Sequence, residues 1–334
     1  MIEETSYQAE LRAAIEAVTA SAALCREVQQ AIGRGVLEKA DRSPVTVADF
    51  GSQAIVCRTL AAHFPDDPVV GEEDGDVLRE AGNELIKSRV VEYVSSHVSG
   101  ASEAEVLSWI DRGGDKAHGS RFWTLDPIDG TKGFLRNEQY AIALALIEDG
   151  EVQVAALCCP NLPVEEGDDR AGLVFAAVRG AGVEAHELDN KQTVAVSVSA
   201  LAVSSEARFC ESVESGHSSH DDAAEVASGL GITQPSVRLD SQAKYAVVAR
   251  GDADIYMRLP TRPGYVERIW DHAAGMLVIV EAGGKVTDID GKPLDFTRGR
   301  GLENNRGVIA TNGVLHDSVL RELRRIGVAA PVNG

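Results

Sequence analysis

Apolar residues recur at three- and four-residue intervals near the start of the chain: Leu11, Ile15, Val18, Ala22 and Cys25. That spacing is one buried helix face, and it predicts a helix over Glu3 to Gly33, ended by Gly33 and Gly35. Ser43 to Asp49 reads as a turn into a short strand, and Asp49 to His63 as a second helix with Ile55, Val56 and Leu60 inward. Pro68 to Gly71 reads as a strand ending in Glu72-Glu73-Asp74. Two helices are expected within Asp76 to Asp111.

Continuous apolar runs follow. Phe122 to Leu125 delivers Asp126, and Pro127 is expected to stop the pairing because it has no N–H to donate. Tyr140 to Ile147 and Val152 to Cys159 flank the hairpin signal Asp149-Gly150, and Pro160 stops the second strand. Leu173 to Val178 pairs with Gly182 to Leu188, and Thr193 to Val198 alternates like a strand. The first part therefore reads as helices on a mainly antiparallel sheet. Strands and helices then alternate. Arg208 to Cys210, Val237 to Asp240, Asp254 to Leu259, Val286 to Asp288 and Gly307 to Ala310 are the strands. A helix capped by Ser219 runs to Gly229, and others cover Ser241 to Arg250, Trp270 to Ala282 and Leu315 to Ile326. Two domains are expected, 1–192 (α+β) and 193–334 (α/β).

Of the 334 residues, 44% are hydrophobic and 25% charged, as in a globular protein. The net charge of −20 argues against nucleic acid or an anionic membrane as partner, and the 5% aromatic content against a stacking surface for single strands. No apolar stretch reaches membrane-spanning length, and the first five residues carry acid where a targeting peptide carries base, so a cytoplasmic protein is expected. Five cysteines without zinc spacing read as buried small hydrophobes, Cys158-Cys159 included.

The chemistry concentrates in carboxylates. Asp126 and Asp129 stand three residues apart at a strand end before the Gly130-Thr131 turn, and the Ile128 carbonyl lies between them. Such an oxygen-rich set suits a hard divalent cation better than zinc. Glu72 ends one strand and Asp271 opens a helix, where side chains converge on a crevice; Asp271 is equally explained as an N-cap. Asp49, equally explained as an N-cap, is the candidate to orient or deprotonate water, in partnership with Thr131. Gly130 and Thr131 would begin a helix whose N–H groups cradle a phosphate. His217 and Ser218 lie just ahead of another helix start, a position that also suits an anion. Lys244, Arg250, Arg258, Arg262 and Arg268 form a basic group in an acidic chain, able to hold a phosphate.

Asp126-Pro127-Ile128-Asp129-Gly130-Thr131, Gly71-Glu72-Glu73 and Trp270-Asp271-His272-Ala273-Ala274-Gly275 resemble, in order and spacing, the three signatures of the lithium-sensitive, magnesium-dependent phosphatases, which include inositol monophosphatase and fructose-1,6-bisphosphatase. Ser43-Pro44-Val45-Thr46, Arg121-Phe122-Trp123, Gly216 to His220, Asp240 to Tyr245 and Pro293 to Phe296 resemble the 3′(2′),5′-bisphosphate nucleotidase branch. The resemblance implies a layered α/β/α/β/α sandwich with the site between two halves, and hydrolysis of adenosine 3′,5′-bisphosphate (PAP) to AMP. It also implies activity on the sulfated form, PAPS, and often on inositol 1,4-bisphosphate. It makes Glu72, Asp126, the Ile128 carbonyl, Asp129 and Asp271 ligands for two or three Mg²⁺, and Asp49 and Thr131 the catalytic pair. It gives the nucleotide to Gly130, Thr131, His217, Ser241, Lys244 and Arg258. The first domain would then carry most metal ligands, and the second the nucleotide-binding residues and the last ligand. A monomer acting on a small phosphorylated nucleotide is expected. The alternatives are an inositol polyphosphate 1-phosphatase or inositol monophosphatase-like enzyme, and, more distantly, an inactive nucleotide or metal sensor.

Overall fold

The computed structural model describes residues 6–33, 43–115, 119–190, 192–213, 219–262 and 264–330. Two long helices, α1 (Gln8–Gly33) and α2 (Ser43–His63), pack side by side. A seven-stranded sheet lies beneath them in the order β1 (Val69–Gly71), β2 (Arg121–Asp129), β3 (Ala141–Glu148), β4 (Glu151–Pro163), β5 (Ala171–Val178), β6 (Gly182–Glu187), β7 (Thr193–Ala195). Only β1 and β2 run parallel; every later neighbour is antiparallel, joined mostly by tight turns. Helices α3 (Glu84–His97) and α4 (Glu103–Asp111) pack on α2, and α5 (Thr131–Arg136) follows β2 directly.

The second sheet is mixed. Its strands are β8 (Phe209–Glu211), β9 (Val237–Arg238), β10 (Ile255–Arg258), β11 (Lys285–Thr287) and β12 (Val308–Thr311), in the order β11-β12-β10-β8-β9. Helices α7 (Ala243–Ala249) and α8 (Ala273–Glu281) fill the space between the two sheets. Helices α6 (His220–Leu230) and α9 (His316–Arg325) cover the far face. The layers are therefore α/β/α/β/α. Helix α8 is apolar all round because it has a sheet on each side.

Four local expectations need correcting. Ser43 to Asp49 is helix, not turn and strand; Val45, Val47 and Ala48 are all buried, and a fully buried helix carries no amphipathic signature. Pro44 falls in its first turn, where a missing N–H costs nothing. Strand β2 continues through Pro127 to Asp129, and its ladder to β3 slips between Asp126 and Asp129. Strand β4 passes Pro160 with a similar slip between Cys159 and Pro163. Both prolines sit at irregularities, where no ladder bond is lost. Ser241 lies outside α7 with φ of 68°. All five cysteines are free and buried, and burial pushes Cys25, Cys57 and Cys210 up to about 12. Among the described residues no helix is long and apolar enough to cross a membrane.

Candidate active site

The slip in β2 places Asp126 and Asp129 on either side of an irregular backbone, with the Ile128 side chain anchored in the core and its carbonyl within the break. Parallel pairing of β1 with β2 sets Gly71 beside Leu125, so Glu72 and Glu73 emerge next to Asp126. The Glu72 carboxyl reaches that of Asp126 and is pushed up to about 7, by burial first and then by Glu73 and Asp129, although part of its side chain stays open to solvent. Asp49 projects from the second turn of α2, not from its start, which removes the N-cap explanation. Burial, then Glu73, then Glu72 hold its acid well above the ordinary range. Asp271 precedes α8, where His272 occupies the capping position, so it is not an N-cap either. Burial pushes Asp271 up to about 7 against the opposing pull of Arg258 and His272.

Asp126 is the most buried of the set. Its acid is raised well above the ordinary range by burial and then by Glu72, Asp129, Asp271 and Asp49, and its Oδ1 has no hydrogen-bond partner. A buried, unpartnered carboxylate oxygen facing four further carboxylates is unfavourable unless positive charge sits among them. The donor set, oxygen throughout, fits a hard cation.

The backbone under this cage is fixed by side chains. Ser52 Oγ donates to the Pro127 carbonyl at 2.9 Å and accepts from Ser21 Oγ at 2.7 Å. Gln53 holds the acidic loop through both functions: Nε2 donates to the Glu73 carbonyl at 2.8 Å, and Oε1 accepts from the Glu73 N–H at 3.2 Å. The Gln242 N–H donates to Asp129 Oδ2 at 2.6 Å, while its side-chain Nε2 donates to the Trp270 carbonyl at 2.8 Å. One residue thus ties Asp129 to the segment bearing Asp271. Arg300 stacks on Trp270 at 4.6 Å and donates through Nη2 to the Gly71 carbonyl at 2.8 Å.

Glu267, Asp271 and His272 also bring ligand-type atoms within 4.8 Å of one another. This second group is already compensated. Glu267 Oε2 sits 2.9 Å from Arg258 Nε and 3.3 Å from His272 Nε2. Although burial alone would raise the Glu267 acid, His272 and Arg258 hold it below its usual value. It is an ion-paired cluster, and the open carboxylates are those of the cage.

Between the halves lies a cavity of about 390 Å³, reached by Asp129, Thr131, Ser241, Lys244, Arg258 and Asp271 among others. Gly130 is left-handed at φ 91°, and a Cβ there would meet Ser241 Cβ at 2.8 Å, so glycine is what lets the two halves approach. Ser241 carries the strained φ itself, at the cavity wall, where such outliers cluster. Lys244 is buried; its Nζ donates to the Ser241 carbonyl at 2.8 Å, and desolvation lowers its pKa.

The structure brings Asp49, Glu72, Asp126, Ile128, Asp129 and Asp271 together, and Gly130, Thr131, Ser241, Lys244 and Arg258 around the adjoining cavity. His217 and Ser218 lie outside the described residues. The expected basic group disperses. Arg250 pairs with Asp252 at 2.5 Å, Arg262 stacks on Tyr265 and Arg268 on Trp270; only Lys244 and Arg258 of the five line the cavity. Sequence reasoning missed Glu73, visible only as the middle of an acidic run, and missed Gln53, Gln242 and Arg300, which carry no signal in spacing. It also missed Tyr256, Val45 and Leu135, the apolar part of the cavity wall.

Residues 4–327 match the model of the inositol monophosphatase family. The chain is 46% identical to a 3′(2′),5′-bisphosphate nucleotidase of Schizosaccharomyces pombe, over 94% of this chain and 95% of that one. It is 43% identical to the enzyme of the same name from Emericella nidulans, over 96% and 99%. Among solved structures it superimposes on inositol monophosphatases from Anabaena (TM-score 0.61, 23% identity, 96% and 97% covered) and Zymomonas mobilis (TM-score 0.64, 18% identity, 96% and 100% covered). At those identities the likeness is one of fold.

Proposed function

The chain belongs to the inositol monophosphatase family, and we propose that it is a magnesium-dependent 3′(2′),5′-bisphosphate nucleotidase. The observation that carries this reading is the joining of two unlike charged sites in one cavity. Asp129 and Asp271 of the carboxylate cage line it together with Lys244 and Arg258. A substrate with a phosphate to be cleaved and a second anionic group to be held matches that layout. Val45, Leu135 and Tyr256 supply apolar wall for a base. The names of the relatives support the same substrate class. The −20 charge supports a small molecule over nucleic acid, and the protein is read as a cytoplasmic monomer.

Glu72, Asp126, the Ile128 carbonyl, Asp129 and Asp271 would hold two or three Mg²⁺. When bound, the ions supply the positive charge that neutralises a phosphate ester and acidifies water. The remaining roles fall to the chain. Thr131, exposed at the start of α5, orients the attacking water by its hydroxyl, and Asp49 accepts the proton. Gly130 brings backbone close to the scissile phosphate. Ser241, Lys244, Arg258 and His217 bind the nucleotide and its 5′-phosphate. Water adds to the 3′-phosphorus, the bond to the ribose oxygen breaks, that oxygen takes up a proton from solvent as Asp49 returns its own, and AMP and phosphate leave. PAPS, which keeps the 3′-phosphate, reacts at the same bond.

Phosphate release from PAP, PAPS, inositol 1,4-bisphosphate and inositol monophosphate, side by side with and without Mg²⁺ and with added Li⁺, tests the reading. The expected order puts PAP first, with turnover dependent on Mg²⁺ and inhibited by Li⁺. Faster turnover of inositol monophosphate would overturn it.

A further inference from the structure

Arg258 faces two ways. It lines the substrate cavity, and its Nη2 lies 3.7 Å from Asp271 Oδ2, a cage carboxylate. An arginine free to close that gap would occupy the carboxylate needed for a cation and withdraw its own charge from the cavity. What holds it is Glu267, whose Oε2 sits 2.9 Å from Arg258 Nε, nearer than Asp271. Tyr265 Oη accepts from Nη2 at 3.4 Å and steadies the same end.

Glu267 is itself fixed from behind. Its side chain is 5% exposed. Tyr245 Oη lies 2.7 Å from His272 Nδ1, and His272 Nε2 lies 3.3 Å from Glu267 Oε2. A protonated phenol has one hydrogen to give, and giving it to Nδ1 leaves the His272 proton on Nε2, directed at Glu267. Tyr245 and His272 are completely buried, so the chain Tyr245–His272–Glu267 is a rigid post in the core between the sheets.

We propose that Glu267 is a positioning residue for anion recognition: it withholds Arg258 from Asp271 and aims the guanidinium into the cavity. Nothing in the reaction needs Glu267 to touch substrate. Its charge fixes where a neighbouring charge points, and a fixed arginine binds an oxyanion without first being ordered. The inference rests on the proposed nucleotide reading for the identity of the anion.

The probe is AMP, which carries only the 5′-phosphate, titrated calorimetrically into the intact protein without turnover. Glu267→Gln is expected to weaken AMP binding about tenfold and to raise KM for PAP by a similar factor, with kcat changing less. Arg258→Ala should weaken AMP comparably. The double variant should be no worse than Arg258→Ala alone, because the two residues act through one contact. Full additivity, or unchanged AMP affinity in Glu267→Gln, would overturn the inference. So would absence of AMP binding in the wild type. Loss of PAP turnover in the wild type with AMP binding still sensitive to Glu267 would overturn the proposed substrate while upholding the positioning role. If Glu267→Gln does not fold, Glu267→Asp, which keeps the charge at a greater distance, is expected to give an intermediate loss of affinity; equality with wild type would then be the overturning result.

Discussion

Two charged clusters lie on either side of Asp271, and they are built on opposite terms. In the cage, Asp49, Glu72, Asp126 and Asp271 are all raised above the ordinary carboxylate range, and Asp126 leaves an oxygen unpartnered. In the neighbouring cluster, Glu267 is lowered; its charge is met by Arg258, and His272 contacts the same oxygen through Nε2. Glu72 is exposed and Asp126 buried, yet both are raised, while the buried Glu267 is lowered, so burial is not what separates the clusters. The difference is whether the protein supplies the countercharge. A cluster that supplies its own is held together by it, whereas one that does not must take a cation from solution or remain strained.

The contrast is broken most severely at Asp126. Asp126→Asn should reduce phosphate release by at least about a thousandfold, through loss of stabilised transition-state charge. The same variant should melt at or above the wild type in metal-free buffer, since it relieves a buried repulsion. A clear fall in Tm would mean that the cage is structural. Glu267→Gln should do the reverse to stability, costing about 2 kcal/mol in urea unfolding, because the buried carboxylate's contacts to Arg258 and His272 are lost and the arginine keeps only the longer contact to Asp271. A neutral result would erase the distinction between the clusters.

A third buried group sharpens the comparison from the neutral side. His316 lies between Thr287 Oγ1 at 2.9 Å and Thr311 Oγ1 at 3.0 Å, and burial lowers its pKa to about 4. Its folded value lies below its unfolded value near 6.5. The unfolded chain therefore binds the extra proton between the two, and stability is lost as pH falls from about 6.5 towards 4. Over that range the wild type should lose about 2 to 3 kcal/mol more than a His316→Gln variant that folds, by denaturant titration, since the raised carboxylates of the cage contribute alike to both. The smallest effect is that of the ion itself. Mg²⁺ at ten times its dissociation constant should stabilise the wild type by about 1.4 kcal/mol, and Asp126→Asn much less.

The carboxylates that meet in the cage were legible because each stands beside its own punctuation: Glu72 after a short strand, Asp126 and Asp129 around a proline, Asp271 before an apolar helix. The antiparallel sheet and the alternation after it were legible in the apolar runs, while the layered sandwich followed from the resemblance. The setting of Asp49 was not, because a helix buried on every side loses the periodicity that marks its start. Nor was the fate of the basic residues. Charge density in the sequence placed five together, but which face the cavity depends on partners such as Asp252, Trp270 and Glu267, chosen by packing. The role of Gln242 was not legible either, although it lies within the stretch Asp240 to Tyr245, since its decisive group is a backbone N–H bonded to a residue 113 positions away.

That bond has a consequence for how the protein comes to life. Asp129 gains its N–H partner only when the chain beyond residue 240 has docked, and Asp271 arrives later still. During synthesis or refolding, the first sheet can close through hairpins of short sequence separation, whereas the cage waits on contacts more than a hundred residues apart. Cation binding should therefore report the last docking event, and an ion would act as a latch on a finished molecule and not as a nucleus for an unfinished one.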